Sequence, residues 1–224
     1  ETFSPLTPAG DEWHIDFGDK FMGGNATLYC FPCGFRDCDN TLEFEILGTN
    51  PSCEKVNEEL GHNKYRAICW HESAYRQFQA EPGGGIGPPL PCYKRDGGYG
   101  LMQITEPLPT MNEIWNWKLN IEAGQKLFDQ KYKQSENHLA WWNEDKKPKP
   151  EPAITMTHNE HIMNAFALYR KGEYYYDACQ MPDTEAEYEL CTLHDEHATA
   201  CTYADARKDD MDKEPWNTQC HKQD

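Results

Sequence analysis

The sequence predicts a mainly α-helical domain with disulfide-stapled extensions at its N- and C-terminal ends. Three observations carry that expectation. Apolar residues recur at helical spacing in three runs through the middle of the chain. The N-terminal quarter holds short, alternating runs between glycines, and ten cysteines are spread from Cys30 to Cys220. A length of 224 residues suits one ordinary domain with an elaboration at each end. A mean hydropathy of −0.89 and a net charge of −17 lean towards disorder. Against that, 9 Phe, 7 Trp and 12 Tyr are too many aromatics for a chain that does not fold.

Taken in order, residues 1–52 form a cysteine-containing segment with strand-like runs at 27–29 and 42–47, the second alternating apolar and polar as a half-buried strand does. Residues 53–176 read as the central helical domain, and 177–224 as an acidic, cysteine-containing helical segment packed on it. A first helix is expected over 63–78, where Tyr65, Ile68, Cys69, Glu72 and Tyr75 or Arg76 share a face. Residues 81–91 are too rich in Gly and Pro to form an element. A second helix is expected over 120–132, with Ile121, Gly124, Leu127, Phe128 and Tyr132 on one side. Residues 146–152 form a polar linker. A third helix runs over about 159–171 and stops at Gly172. From 184 to 207 an acidic amphipathic pattern carries Leu190, Leu193 and Cys201.

Charge and cysteines bound the function. A net charge of −17 argues against nucleic acid as a partner, because phosphates need Lys and Arg. No apolar stretch is long enough to span a membrane. A start at Glu1 reads as a mature form or an excised domain. An even number of cysteines without a repeated metal spacing favours disulfides, and hence a secreted or periplasmic, oxidising compartment. The alternative is a structural zinc on Cys30, Cys33, Cys38 and Cys53, but no close His completes it. His158 and His161, three apart, are too few for zinc. No cofactor is expected.

Glu72 is the most informative residue, because the apolar stripe of the first helix runs through it. Burial disfavours the charged form of a carboxyl and raises its pKa, the condition under which Glu donates a proton near neutral pH. The other reading is an edge-of-stripe Glu paired with Arg66 or Arg76.

Four motifs follow one another: Trp70-His71-Glu72-Ser73, Gly100-Leu101-Met102-Gln103-Ile104, Asn120-Ile121-Glu122-Ala123-Gly124 and Ala167-Leu168-Tyr169-Arg170-Lys171-Gly172. Together they resemble the soluble lytic transglycosylase and goose-type lysozyme superfamily, over roughly residues 56–176. The resemblance implies a lysozyme-like helical fold and cleavage of peptidoglycan at the β-1,4 bond between N-acetylmuramic acid and N-acetylglucosamine, with Glu72 as general acid and Ser73 beside it. It implies that Gly100, Leu101, Met102 and Gln103 line the sugar groove and that Tyr169 sits near the acid. The family has Asn where Arg170 stands; the guanidinium there would pair with Glu72 or with a lactyl carboxylate of the substrate. Asp96, four residues before Gly100, is the candidate second carboxylate for hydrolysis, ahead of Glu81 and Glu106; Thr105 stands where goose-type enzymes carry another acid. Trp115, Trp117, Trp141, Trp142 and Tyr174 to Tyr176 are candidate sugar-stacking residues. The implied partners are peptidoglycan strands, with an immunity protein or a delivery module in the case of an antibacterial effector. The alternative is a non-catalytic glycan-binding module on the same fold.

Overall fold

In the N-terminal region β1 (Gly24–Cys30) and β2 (Asn40–Ile46) pair antiparallel, Gly24 opposite Ile46 and Cys30 opposite Asn40. The structure, a computed structural model, describes residues 23–30, 40–79, 86–87, 98–147, 149–150, 152–181 and 187–220. The alternation expected of the second strand is present at Phe44 and Ile46, which are half-buried between exposed neighbours. β3 (Gly48–Thr49) pairs with β4 (Ile86–Gly87), so the Gly/Pro segment does contribute a short strand where composition predicts none.

Helices dominate from residue 53 onward. α1 (Cys53–Leu60), capped by the Ser52 hydroxyl, buries Cys53, Val56 and Leu60. α2 (Asn63–Ser73) ends five residues earlier than the periodicity suggests. Ala74 and Tyr75 turn left-handed, and the amides of Gln77 and Phe78 are captured by the Asn50 side-chain oxygen, both at 2.8 Å. A helix cannot keep those two N–H groups while Asn50 holds them. α3 (Met111–Trp115) opens with a Thr110/Glu113 capping box, and α4 (Trp117–Glu144) with the Asn116 side chain. α4 outruns the expected 120–132 at both ends. Its second half is mostly polar, which leaves helix propensity without a clear apolar stripe.

α5 (His158–Lys171) matches the third expected helix within a residue and stops at Gly172 in the left-handed conformation. Every residue from His161 to Leu168 is buried, so this helix is covered on all sides. It packs against α4 and against α6 (Ala198–Lys213), which also lies on α2. Between α5 and α6, β5 (Tyr176–Gln180) and β6 (Tyr188–Thr192) form an antiparallel hairpin stapled by Cys179–Cys191. The helical pattern expected over 184–207 is therefore corrected: Tyr188–Thr192 is a strand, and the helix begins only at Ala198. Five residues are too few to separate period 2 from period 3.6. α7 (Pro215–Cys220) closes the described chain, with Trp216 fully buried.

The fold is thus mainly α, with three two-stranded ribbons among the described residues. Its core joins Val56, Leu60, Ile68, Leu101, Met102, Ile121, Phe128, Phe166 and Trp216. The cysteines divide. Cys53, Cys179 and Cys191 are disulfide-bonded, whereas Cys69 and Cys201 are free thiols buried on α2 and α6, a correction to the expectation that cysteines here act as staples. No helix among the described residues is long and apolar enough to cross a membrane.

Candidate active site

The turn that carries Gly100-Leu101-Met102-Gln103 is held by two buried amide side chains. Gln77 accepts from the Leu101 amide at 3.0 Å and donates to the carbonyls of Glu113 and Ile114. Asn120 accepts from the Met102 amide at 2.9 Å and donates to the Tyr99 carbonyl at 3.0 Å. Tyr99 and Ile104 bridge across the base of the turn. Gly100 has φ +78, and a Cβ there would lie 2.5 Å from the Gln77 amide and 2.8 Å from Asn120, so the position requires Gly twice over. Gly124 on α4 makes room for Met102 in the same way.

This geometry decides what the turn can offer a ligand. The Leu101 and Met102 side chains are wholly buried in the core. Gln103 folds back, its side-chain amide donating to the Gly100 carbonyl at 2.8 Å. Gly100, Leu101, Met102 and Gln103 are all buried, and the Met102 carbonyl is taken by Tyr169, so the turn presents no open face of the kind expected of a groove lining.

Glu72 lies one residue before the end of α2 and is half-buried. Arg66 and Arg76 do not take it up. Arg66 donates to the Asn57 carbonyl and the Asn63 side chain, and Arg76 to the Ser73 carbonyl. The Glu72 Oε1 atom instead accepts a hydrogen bond from the Tyr203 hydroxyl at 2.7 Å, across 131 residues of sequence. Ser73 turns the other way: it is buried, and its hydroxyl donates to the Cys69 carbonyl at 3.0 Å. Tyr169, at the end of α5, donates to the Met102 carbonyl at 2.7 Å. Burial, followed by the charge of Glu72 and then Cys69, pushes the Tyr169 phenol well above its ordinary range. Tyr169 therefore ties the end of α5 to the 100–103 turn, and its phenol lies close enough to Glu72 to feel that charge.

The cations nearby gather on Tyr203. The Arg207 guanidinium lies 5.1 Å from the ring centroid, that of Arg170 5.9 Å away, and the His71 ring meets it edge-on at 5.2 Å. Among the described residues Arg170 makes no ion pair. Arg207, 3% exposed, reaches Asp210 at 2.6 Å but leaves its Nε and Nη1 atoms without hydrogen-bond partners. His71 is held down at about 4, first by burial and then by the Arg207 and Arg170 charges, so it is neutral at pH 7.

Other expectations land elsewhere. Asp96 and Glu81 lie outside the described residues, as do Cys33 and Cys38 of the zinc alternative. Thr105 and Glu106 line an open cavity of about 900 Å³ with Pro107, Leu127 and Gln130. It adjoins a second, of about 400 Å³, that reaches back to Ile104 along α4. Neither is lined by Glu72. Trp115 is buried against Phe78. Trp142 donates to Asp177 at 2.7 Å, and Tyr174 stacks on His138 at 4.2 Å, which leaves Trp141, 43% exposed, as the open aromatic of that group. His158 and His161 are taken by Tyr132 and Ser135, and no metal-ligating cluster occurs among the described residues.

Sequence reading misses Tyr203 and Arg207. Their signal is faint: an i, i+4 pair beside Ala200 and Ala204, small residues that let α6 sit close to α2 and α5. Comparison with protein-family models, curated proteins and solved structures returns no match for this chain.

Proposed function

We propose that this protein is a peptidoglycan-cleaving muramidase of lysozyme-like fold, with Glu72 as the general acid, acting in a bacterial periplasm or another oxidising compartment as a lytic or antibacterial effector. One observation carries the reading: Glu72 at the end of α2 is met by the Tyr203 hydroxyl of α6, with the Tyr169 phenol of α5 close enough to feel its charge. Tyr169 ties the end of α5 to the 100–103 turn through the Met102 carbonyl, and its phenol feels the Glu72 charge. The Cys179–Cys191 disulfide suits an oxidising compartment.

The chemistry needs Glu72 protonated when substrate binds. Its proton passes to the glycosidic oxygen as that bond to the muramyl C1 breaks and positive charge spreads over the ring. Attack by the muramyl 6-hydroxyl, deprotonated by the Glu72 carboxylate, gives a 1,6-anhydro end. Attack by water gives a reducing end and calls for a second carboxylate about 6.5–9.5 Å away. Asp96 is that second group on the sequence pattern, and we favour hydrolysis on that ground.

Glu72→Gln is the test. It is expected to fold as the wild type does and to release no soluble muropeptides from purified peptidoglycan, a loss of about a hundredfold or more. A well-folded variant that keeps its activity refutes the assignment. Product mass separates the two branches, because the ends differ by one water. The glycan-binding alternative draws on the hydrogen bond that already occupies one Glu72 oxygen. It gains if the wild type binds peptidoglycan without releasing fragments.

A further inference from the structure

We propose that the far end of α4 and the β5–β6 hairpin together form a second glycan-binding site, in which Trp141 stacks on a sugar ring of peptidoglycan at a distance from Glu72. The proposal takes its ligand from the muramidase reading and does not depend on Glu72 as an acid. It gives a task to rings that take no part in the hydrophobic core, those of His138, Trp141, Trp142 and Tyr174.

Trp141 is 43% exposed, yet its surroundings are fixed. The His138 ring lies 6.1 Å away and within 18° of parallel, and Tyr174 stacks on His138 in turn at 4.2 Å and 19°. Trp142 meets Trp141 edge-on at 5.3 Å and leans on Tyr188 of the hairpin at 5.3 Å. One carboxylate anchors the set: Asp177 accepts from the Trp142 indole N–H at 2.7 Å and pairs with His138 at 2.8 Å. Asn143 pins the end of α4 by exchanging two hydrogen bonds with the Ile154 backbone, both at 2.9 Å, and Cys179–Cys191 staples the hairpin. A surface ring already ordered in this way gives up little freedom when a ligand settles on it.

A large flat ring held at the surface suits a ligand with an apolar face and a polar rim. A pyranose is such a ligand: its C–H face covers the indole, and its hydroxyl and acetamido groups meet polar side chains around it. Lys146 supplies such a group, its ammonium 4.6 Å from the Trp142 ring and 5.5 Å from that of Trp141. Charge points the same way. At −17 the chain is poorly suited to hold an anionic wall by ion pairing, whereas stacking on a neutral N-acetylglucosamine ring is insensitive to salt. Trp141 stands 17 residues along α4 from Gly124, where Met102 of the 100–103 turn packs, which is about 25 Å of helix. A single sugar cannot reach from one to the other. A second hold on the wall raises the effective concentration of bonds to cut without a new contact at Glu72.

The test is made in the Glu72→Gln chain, so that nothing is cut, with two probes: purified peptidoglycan and a neutral tetramer of β-1,4-linked N-acetylglucosamine. The indole signals of Trp141 in NMR spectra, assigned by their loss in Trp141→Phe, are expected to shift saturably as the tetramer is added. Trp141→Ala is expected to bind peptidoglycan about tenfold more weakly in cosedimentation. Both results should change little between low and high salt. A folded Trp141→Ala that binds as its parent does, or indole signals that the tetramer leaves unmoved, overturns the proposal and leaves the muramidase reading standing. Binding that disappears in high salt also overturns it, because charge and not stacking then holds the glycan. Binding that depends on Trp141, in a protein whose wild type releases no muropeptides, supports the second site and removes the muramidase reading. If Trp141→Ala does not fold, the Trp141 indole signals decide alone: a saturable shift supports the proposal and its absence overturns it.

Discussion

At the scale of single residues, the site is built more by amides and one glycine than by charges. Gln77 and Asn120 each hold a turn amide with one end of the side chain and a carbonyl with the other, so neither leaves a buried polar group unpaired. Gly100→Ala places a methyl in both amides at φ +78 and is expected to cost about 2 kcal/mol or more, read as a fall in urea midpoint at unchanged slope. His71 gives a pH dependence with a definite sign. Its folded pKa, about 4, lies below the ordinary 6.5, so the unfolded chain binds more protons between those values and stability rises with pH across that window. His71→Gln is expected to lose less stability than the wild type between pH 7 and 4.5, measured by denaturation midpoints. Glu72 and Tyr169 are legible in the sequence because each sits in a short motif on a helix. Tyr203 is not, since no local pattern tells a helix which distant carboxyl its hydroxyl will meet.

At the scale of elements, legibility follows the contrast between apolar and polar positions. α5 is legible to within a residue: Thr157 and Glu160 box its start, and Gly172 ends it. The periodicity makes α2 too long because its stop lies in tertiary structure, in the Asn50 side chain that claims two amides just beyond it. α1 escapes a sequence reading: eight residues with three buried positions give little periodicity. The β5–β6 hairpin is the element whose stability is most local. Cys179 and Cys191, 12 apart, close a short loop, and the hairpin also supplies Asp177 to His138 and Trp142. Replacing both cysteines with Ser is expected to cost about 3 kcal/mol, seen as a lower midpoint in chemical denaturation under oxidising conditions.

At the scale of the whole molecule, the net charge of −17 bears on the muramidase proposed above: a polyanionic wall would repel such a chain, so on that proposal delivery by an attached module or a secretion machine is favoured over unaided diffusion. Glu58, Glu122, Glu144 and Glu196 are all exposed. Changing these four to Lys adds two charges each and brings the net charge from −17 to −9. Lysis of intact cells, followed by turbidity at low ionic strength, is expected to quicken several-fold, and the gain to fade in high salt. No gain would mean that adhesion does not limit the rate. The hydrogen bond between residues 131 apart has a further consequence for how the protein is made. A ribosome delivers the carboxyl early and its phenolic partner only with α6, so this contact closes only when nearly the whole of the described chain has been made.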